Sequence, residues 1–190
     1  MSLSLGKVAA VVIVFLSLIV GAIALWSDQP IILKRAVFQR TASEPTRPKF
    51  DGPKKTVALF FLVRDQNVLQ EEPREIEAGI TTTEEAKRAL EELAKGPESD
   101  LAPTLPRGVQ VRNLFIDSSG TAYADFNREL NGGHPGGAQE ELYTVFSIVD
   151  TLAINFPKIR RVQLLVEGVE IPTLTGNVDT RAPLTPRFAF

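Results

Sequence analysis

The sequence predicts an α+β fold: an antiparallel or mixed β-sheet with two helices packed on one face, preceded by one transmembrane helix. Three observations predict it. An uncharged apolar run lies near the N-terminus, several short segments alternate with a period of two, and two longer segments carry helical stripes between the strand pairs.

The apolar run is Val8 to Trp26, 19 residues interrupted in character only by Ser17 and Gly21. As a helix it extends about 28 Å, near the hydrocarbon thickness of a bilayer. The run has no polar face along which it could pack as a surface helix of a soluble core. It reads as a retained signal anchor after a short N-terminal tail, residues 1–7. Ala22-Ile23-Ala24 has the small-x-small form of a cleavage site, so a cleaved signal peptide is the alternative. Lys7 precedes the run, while Lys34, Arg35 and Arg40 follow it. That charge asymmetry alone would keep the C-terminal side in the cytoplasm, but long domains translocate largely regardless of charge. The expectation is a single-pass protein of the cytoplasmic (inner) membrane with its C-terminal domain outside the cytoplasm. Residues 27–53 read as a linker, with Pro30, Pro45, Pro48 and Pro53 and little periodicity.

Residues 54–190 suit one domain. Thr56 to Val63 is a buried strand, apolar and aromatic. Arg64 to Asn67 is a polar turn. Val68 to Ala78 is its partner, with Pro73 demoting its middle to an edge or a bend. A helix follows. Thr82 and Glu85 have capping-box spacing, and Ala86, Ala89, Leu90 and Leu93 share one face until Gly96-Pro97 stops it. Val109 to Asp117 and Thr121 to Phe126 form a hairpin around Ser118-Ser119-Gly120, with Ala122, Ala124 and Phe126 on one face. After a glycine-rich loop, residues 131–137, the longest helix carries a stripe of Leu142, Val145, Phe146, Val149, Leu152, Ala153 and Phe156. Pro157 ends it. Arg161 to Val166 alternates as a strand, Glu167-Gly168 turns, and Val169 to Ile171 is a short last strand.

Ordered landmarks along this domain resemble those of the GerMN domain. They are Glu92-Leu93-Ala94-Lys95-Gly96-Pro97, Leu105-Pro106-Arg107-Gly108-Val109, and Ala124-Asp125-Phe126 with Glu129-Leu130. They continue through Ile148 to Leu152, the run from Phe156-Pro157 to Val166-Glu167-Gly168, and Gly176-Asn177-Val178-Asp179 with Pro183-Leu184. The resemblance covers roughly residues 55–187. It implies an exported, membrane-attached, non-enzymatic module of the kind found in spore germination and sporulation proteins and envelope lipoproteins, with a part in protein assembly at the cell envelope. The chain departs from some relatives in having one copy of the domain, and from lipoprotein relatives in having no cysteine.

The chemistry the residues permit is narrow. With one histidine and no cysteine, a His/Cys metal site has no ligand set, and no cofactor is implied. Residues 54–190 carry fifteen Lys/Arg against twenty Asp/Glu, net −5. Such a domain, without a basic stripe, is no nucleic-acid partner. Lys158, Arg160 and Arg161 are the local basic patch and read as a solvated strand entrance. The loop Asn131-Gly132-Gly133-His134-Pro135-Gly136-Gly137 lacks a P-loop ending, and Glu140 and Glu141 at the following helix start suit the helix dipole and repel a phosphate. His134 reads as an exposed loop residue. Glu71, Glu72, Glu84, Glu85, Glu91 and Glu92 read as solvated surface. The terminal Arg187 to Phe190 closes against the domain.

These observations predict a membrane-anchored, non-enzymatic interaction or assembly module, integral to the membrane by a single span, with an envelope protein partner. Its contacts would use sheet edges or the 131–137 loop. The alternative is a binding or sensing domain for a cell-wall glycan or small ligand, with Asn131, His134 and Gln139 as the candidate contacts. A hydrolase would instead need two acids facing each other across a cleft.

Overall fold

In the computed structural model, which describes residues 52–187, strand β1 (Lys54–Val63) pairs with β2 (Val68–Glu77) as an antiparallel ribbon. The spanning helix expected at 8–26 and nearly all of the 27–53 linker lie outside the described residues. Among the described residues no helix is long and apolar enough to cross a membrane.

The β1–β2 turn closes through Asn67, whose φ of +54° is a conformation asparagine tolerates better than most residues. Val57, Leu59 and Phe61 point into the core, as the alternation requires. Pro73 lies inside a continuous strand rather than at a bend, and the register explains why. It sits opposite Ala58, whose N–H and C=O are both taken by the Asn155 side chain at 2.8 and 2.7 Å. The pair therefore exchanges no backbone bonds, and the missing N–H of Pro73 falls on the outer edge of the ribbon.

Helix α1 (Thr82–Lys95) begins one residue earlier than the capping-box reading had it. Thr81 is the N-cap and its hydroxyl accepts from Glu84 N at 3.2 Å, while Glu84 reaches back to Ile80 N at 2.9 Å. Three threonines in a row left the phase of the box ambiguous. The buried face is the expected one, Ala86, Ala89, Leu90 and Leu93, and the helix ends at Gly96.

Strands β3 (Val111–Ile116) and β4 (Thr121–Phe126) form an antiparallel hairpin with a register shift between Val111 and Asn113. From β4 the chain passes through a short helix α2 (Glu129–Gly132) and the long helix α3 (Ala138–Asn155) to β5 (Arg161–Val166), which pairs parallel to β4. The two-residue β6 (Val169–Glu170) completes the order β3-β4-β5-β6. The α+β class is as expected, but the expectation of one sheet is corrected to two. The ribbon β1–β2 and the mixed four-stranded sheet are separate.

Helix α3 joins them. It packs against β1 on one side and β5 on the other. It is not the one-sided amphipathic helix its stripe suggested: eleven of its 18 residues are buried, among them Glu141, Thr144, Ser147, Asp150 and Thr151. Buried polar groups demand partners, and here they cap an edge. Asn155 serves Ala58, Thr151 Oγ1 accepts from Phe60 N at 3.2 Å, and Leu62 exchanges backbone bonds with Ala102 at 3.1 and 2.7 Å. The outer edge of β1 is thus closed to another strand. That of β2 is interrupted by Pro73 and carries Glu71, Glu75 and Glu77, which guard against edge pairing.

Of the terminal segment expected to close against the domain, Arg187 alone is described; it and the residues before it fold back. Leu184 bridges to Val162 at 2.9 and 2.8 Å, Gln163 Nε2 donates to Thr180 O at 2.8 Å, and Arg187 N donates to Asp150 at 2.8 Å.

Candidate functional site

The glycine-rich loop is built, not loose. Its first residues belong to α2, and at its end Gly137 caps α3 with φ of +102°. That left-handed backbone favours glycine, and the Glu140 carboxylate folds back over the cap. Between these ends His134 is half-buried and clamped at both nitrogens. Nδ1 accepts from Gly136 N at 3.0 Å, and Nε2 lies 3.0 Å from Thr144 Oγ1. Thr144 spends its own proton on Thr104 O at 2.5 Å, so its oxygen accepts from the imidazole. The network favours a proton at Nε2 and an acceptor at Nδ1. The expectation of an exposed loop histidine is corrected, because a threonine in the second turn of α3 reaches it.

His134 borders a cleft of about 380 Å³. Leu62, Pro103, Leu105, Pro106, Pro135 and Tyr143 supply an apolar lining, while Arg107, Glu140, His134 and Thr144 add polar groups. The cleft is placed by the Leu62–Ala102 bridge, which carries Pro103 to Arg107 across the start of α3. A concave, mostly apolar site with a few fixed polar groups is the usual form of a binding site. The other two candidate residues do not converge on it. Gln139 is exposed and donates to Tyr143 Oη at 2.6 Å, and Tyr143 donates in turn to Asn67 O at 2.6 Å, which ties α3 to the β1–β2 turn. Asn131 lines a separate shallow depression with Arg128 and Glu129. The residues that sequence reasoning missed are Leu62, Thr104, Tyr143 and Thr144. Leu105-Pro106-Arg107 belonged to a landmark in the sequence, but nothing there showed that it faces the loop.

Several carboxylates are committed to the scaffold. Glu141 is fully buried and accepts from the Thr173 hydroxyl, Leu174 N at 2.8 Å, Thr175 Oγ1 at 2.7 Å, and both Asn177 N and Nδ2 at 2.9 Å. Burial pushes its pKa up, but the donors of Thr173, Thr175 and Asn177 more than reverse this and hold it well below the usual carboxylate range. It lies in the first turn of α3, as its reading for the helix dipole expects, and the 173–177 loop wraps it as well. Glu72 is likewise buried, not solvated. It binds Arg74 at 2.6 Å and accepts from Glu98 N at 3.1 Å and Ser99 N at 3.0 Å. Burial raises its pKa and these bonds, with the Ser99 hydroxyl, bring it down to about 2. Arg74 also meets Glu92 at 3.3 Å and Glu98 at 3.5 Å.

A glycosidase acid is a carboxyl held neutral by its surroundings. Among the described residues the acid raised in this way is Asp150, pushed to about 6 by burial against the opposing Arg187 N–H and guanidinium. It lies within α3 beneath the C-terminal segment and borders no cleft described here. Asp65 and Asp100 share one open depression, and both are exposed.

The sequence from 58 to 172 matches the family model Germane, described as sporulation and spore germination. Solved structures share the fold. The tandem GerMN domains of the sporulation protein GerM from Bacillus subtilis align at TM-score 0.57 and 25% identity, over 70% of this chain and 46% of that one. This chain therefore spans about half of the tandem protein's structure. The first GerMN domain of GerM aligns at 0.53 and 22% identity, over 69% and 97%. A Clostridium perfringens protein described as a lipoprotein aligns at 0.51 and 23% identity, over 70% and 87%. No curated protein matches the sequence.

Proposed function

Because the matched region, residues 58–172, is more than half of its length, this chain belongs to the Germane family of sporulation and spore germination domains, and we propose that it is a membrane-tethered extracytoplasmic module that binds an envelope protein partner through the His134 cleft. The observation that carries this reading is the cleft itself, a preformed apolar concavity held by α3, the Leu62–Ala102 bridge and the His134–Thr144–Thr104 chain. The proline-rich rim and Tyr143 suit an extended peptide segment, which such surfaces bind with little loss of chain entropy. The acids of strongest setting, Glu72 and Glu141, are spent on structure, which favours a binding role over a catalytic one. Tethering rests on the apolar run 8–26, and the outward placement on family membership. The solved relative described as a lipoprotein is consistent with an envelope setting.

Two experiments test the reading. A C-terminal reporter fusion with N-terminal sequencing of the mature chain locates the domain and the anchor. A cytoplasmic reporter would sink the extracytoplasmic placement. A photo-cross-linking residue at Arg107, on the cleft, should give a discrete protein adduct in native membranes, and the same residue at Arg181 should not. The cleft's volume, near the lower bound of ordinary ligand pockets, favours a second reading, an envelope glycan or small ligand in the same place. That reading predicts no protein adduct from position 107 and saturable protection of the cleft by cell-wall fragments.

A further inference from the structure

The basic residues Lys158 and Arg160 border a second cleft, distinct from that at His134, where the start of α1, the β3–β4 turn and the segment between α3 and β5 meet. It is an open concavity of about 720 Å³, lined also by the hydroxyl-bearing Thr82, Thr83, Ser118 and Ser119. Its floor is fixed. Asp117 Oδ1 accepts from Ser119 N at 2.8 Å, the Ser119 hydroxyl at 2.7 Å and Thr121 N at 2.9 Å, which locks the turn. Gly120 O then accepts from both Arg160 N at 2.8 Å and Arg161 N at 3.3 Å. A Cβ on Gly120 would meet Lys158 O at 2.6 Å, so the two segments approach this closely because the residue is glycine, with φ of +82°. The aliphatic stem of Arg160 lies across it, 3.3 Å from that Cβ position.

The charges point the same way. Neither the Lys158 ammonium nor the Arg160 guanidinium has a hydrogen-bond or ion-pair partner among the described residues, although residues 54–190 carry net −5. Most other cations near acids are paired, as Lys54, Lys55, Arg74, Lys95 and Arg181 are. The acids of the first turn of α1 are directed elsewhere, Glu84 to Ile80 N at 2.9 Å and Glu85 to Gly79 N and Lys55 at 3.3 and 2.7 Å. The charge of Asp117, the acid that does line the cleft, is offset by its three donors and by Arg161, which reaches Ser119 Oγ at 3.5 Å. Two cations without partners line one concavity, and an anion there would gain the attraction of both. An ammonium as point charge, a guanidinium fork and the hydroxyls of Thr82, Thr83 and Ser118 together suit a tetrahedral anion with several acceptor oxygens.

We propose that this cleft binds a phosphate group, supplied either by an anionic lipid headgroup or by a soluble or polymeric phosphate. The proposal is independent of the role assigned to the His134 cleft. The test is hydrogen–deuterium exchange on the full chain in nanodiscs, followed at residues 117–121 and 157–161. In phosphatidylcholine discs, glycerol phosphate should protect both segments saturably. The double variant Lys158→Ala/Arg160→Ala should weaken this about tenfold or more, the loss of two charge-assisted contacts. Arg181→Ala should leave it unchanged, and unaltered melting of both variants shows that the fold persists. Protection in phosphatidylglycerol discs without added ligand assigns the headgroup, and protection by glycerol phosphate alone assigns the soluble source. No protection in either arm, equal protection in the double variant, or the same protection from sodium chloride at matched ionic strength overturns the proposal.

Discussion

At Glu141 five donors from one short loop converge on a fully buried carboxylate, and that loop contains the Gly176-Asn177 landmark. The landmark thus acquires a physical reason: it ends a loop that folds around the first turn of the long helix. Glu141→Gln keeps the size but turns an NH₂ group against donors, and should cost about 2–4 kcal/mol in urea unfolding. Asp150 works in the opposite sense. Its folded pKa is raised from 3.8 to about 6, so its contribution to stability is full below 3.8 and lost as pH rises through about 6. Asp150→Asn keeps an acceptor for Arg187 N without burying a charge. It should stabilise the protein by about 2–3 kcal/mol at pH 8 and leave it unchanged at pH 3.5. Glu72 carries the ordinary sign. Its pKa falls from 4.5 to about 2, so its contribution is present above 4.5 and lost as pH falls through about 2. Unfolding curves across pH would separate the two carboxyls. Neither setting was legible in the sequence, where Glu72 belongs to an acidic stretch and Asp150 to the Ile148–Leu152 landmark of the long helix, because their partners arrive from Glu98-Ser99 and Arg187.

Among the elements, α3 shows most plainly what a pattern can and cannot reveal. Its length, its apolar stripe and its stop before Pro157 all follow from spacing. Its polar residues read equally well as a solvated face, yet Thr151 and Asn155 cap the open edge of β1, Glu141 holds the 173–177 loop and Asp150 meets Arg187. Asn155→Ala removes the acceptor for Ala58 N, the donor to Ala58 O, and its own bond to Thr151 O at 2.7 Å. It should cost about 2 kcal/mol and speed amide exchange at Ala58 selectively. The split into two sheets was hidden for the same reason. Strand periodicity shows that β1, β2, β3 and β4 exist, but the element that separates the ribbon from the sheet does so through side chains 97 and 91 positions away in sequence. Pro73 was legible, since a strand proline belongs on an edge and lies on one.

For the whole molecule, an acidic domain presents a mostly apolar cleft at His134 and a basic one at Lys158 and Arg160. The loop and its histidine were visible in the sequence as a candidate contact, whereas the cleft they border was not, because Leu62 and the 103–107 segment reach it through a tertiary bridge. Family membership, the apolar run and the cleft together support an interaction module at the envelope. The direct test is native gel electrophoresis of detergent extracts from cells expressing either the wild-type chain or Leu62→Arg, which places a long cation in the apolar lining. The prediction is a discrete heteromeric complex for the wild type that is lost in Leu62→Arg, with melting and membrane fractionation unchanged. A complex that persists undiminished in Leu62→Arg would contradict the assignment of the cleft as the interaction site.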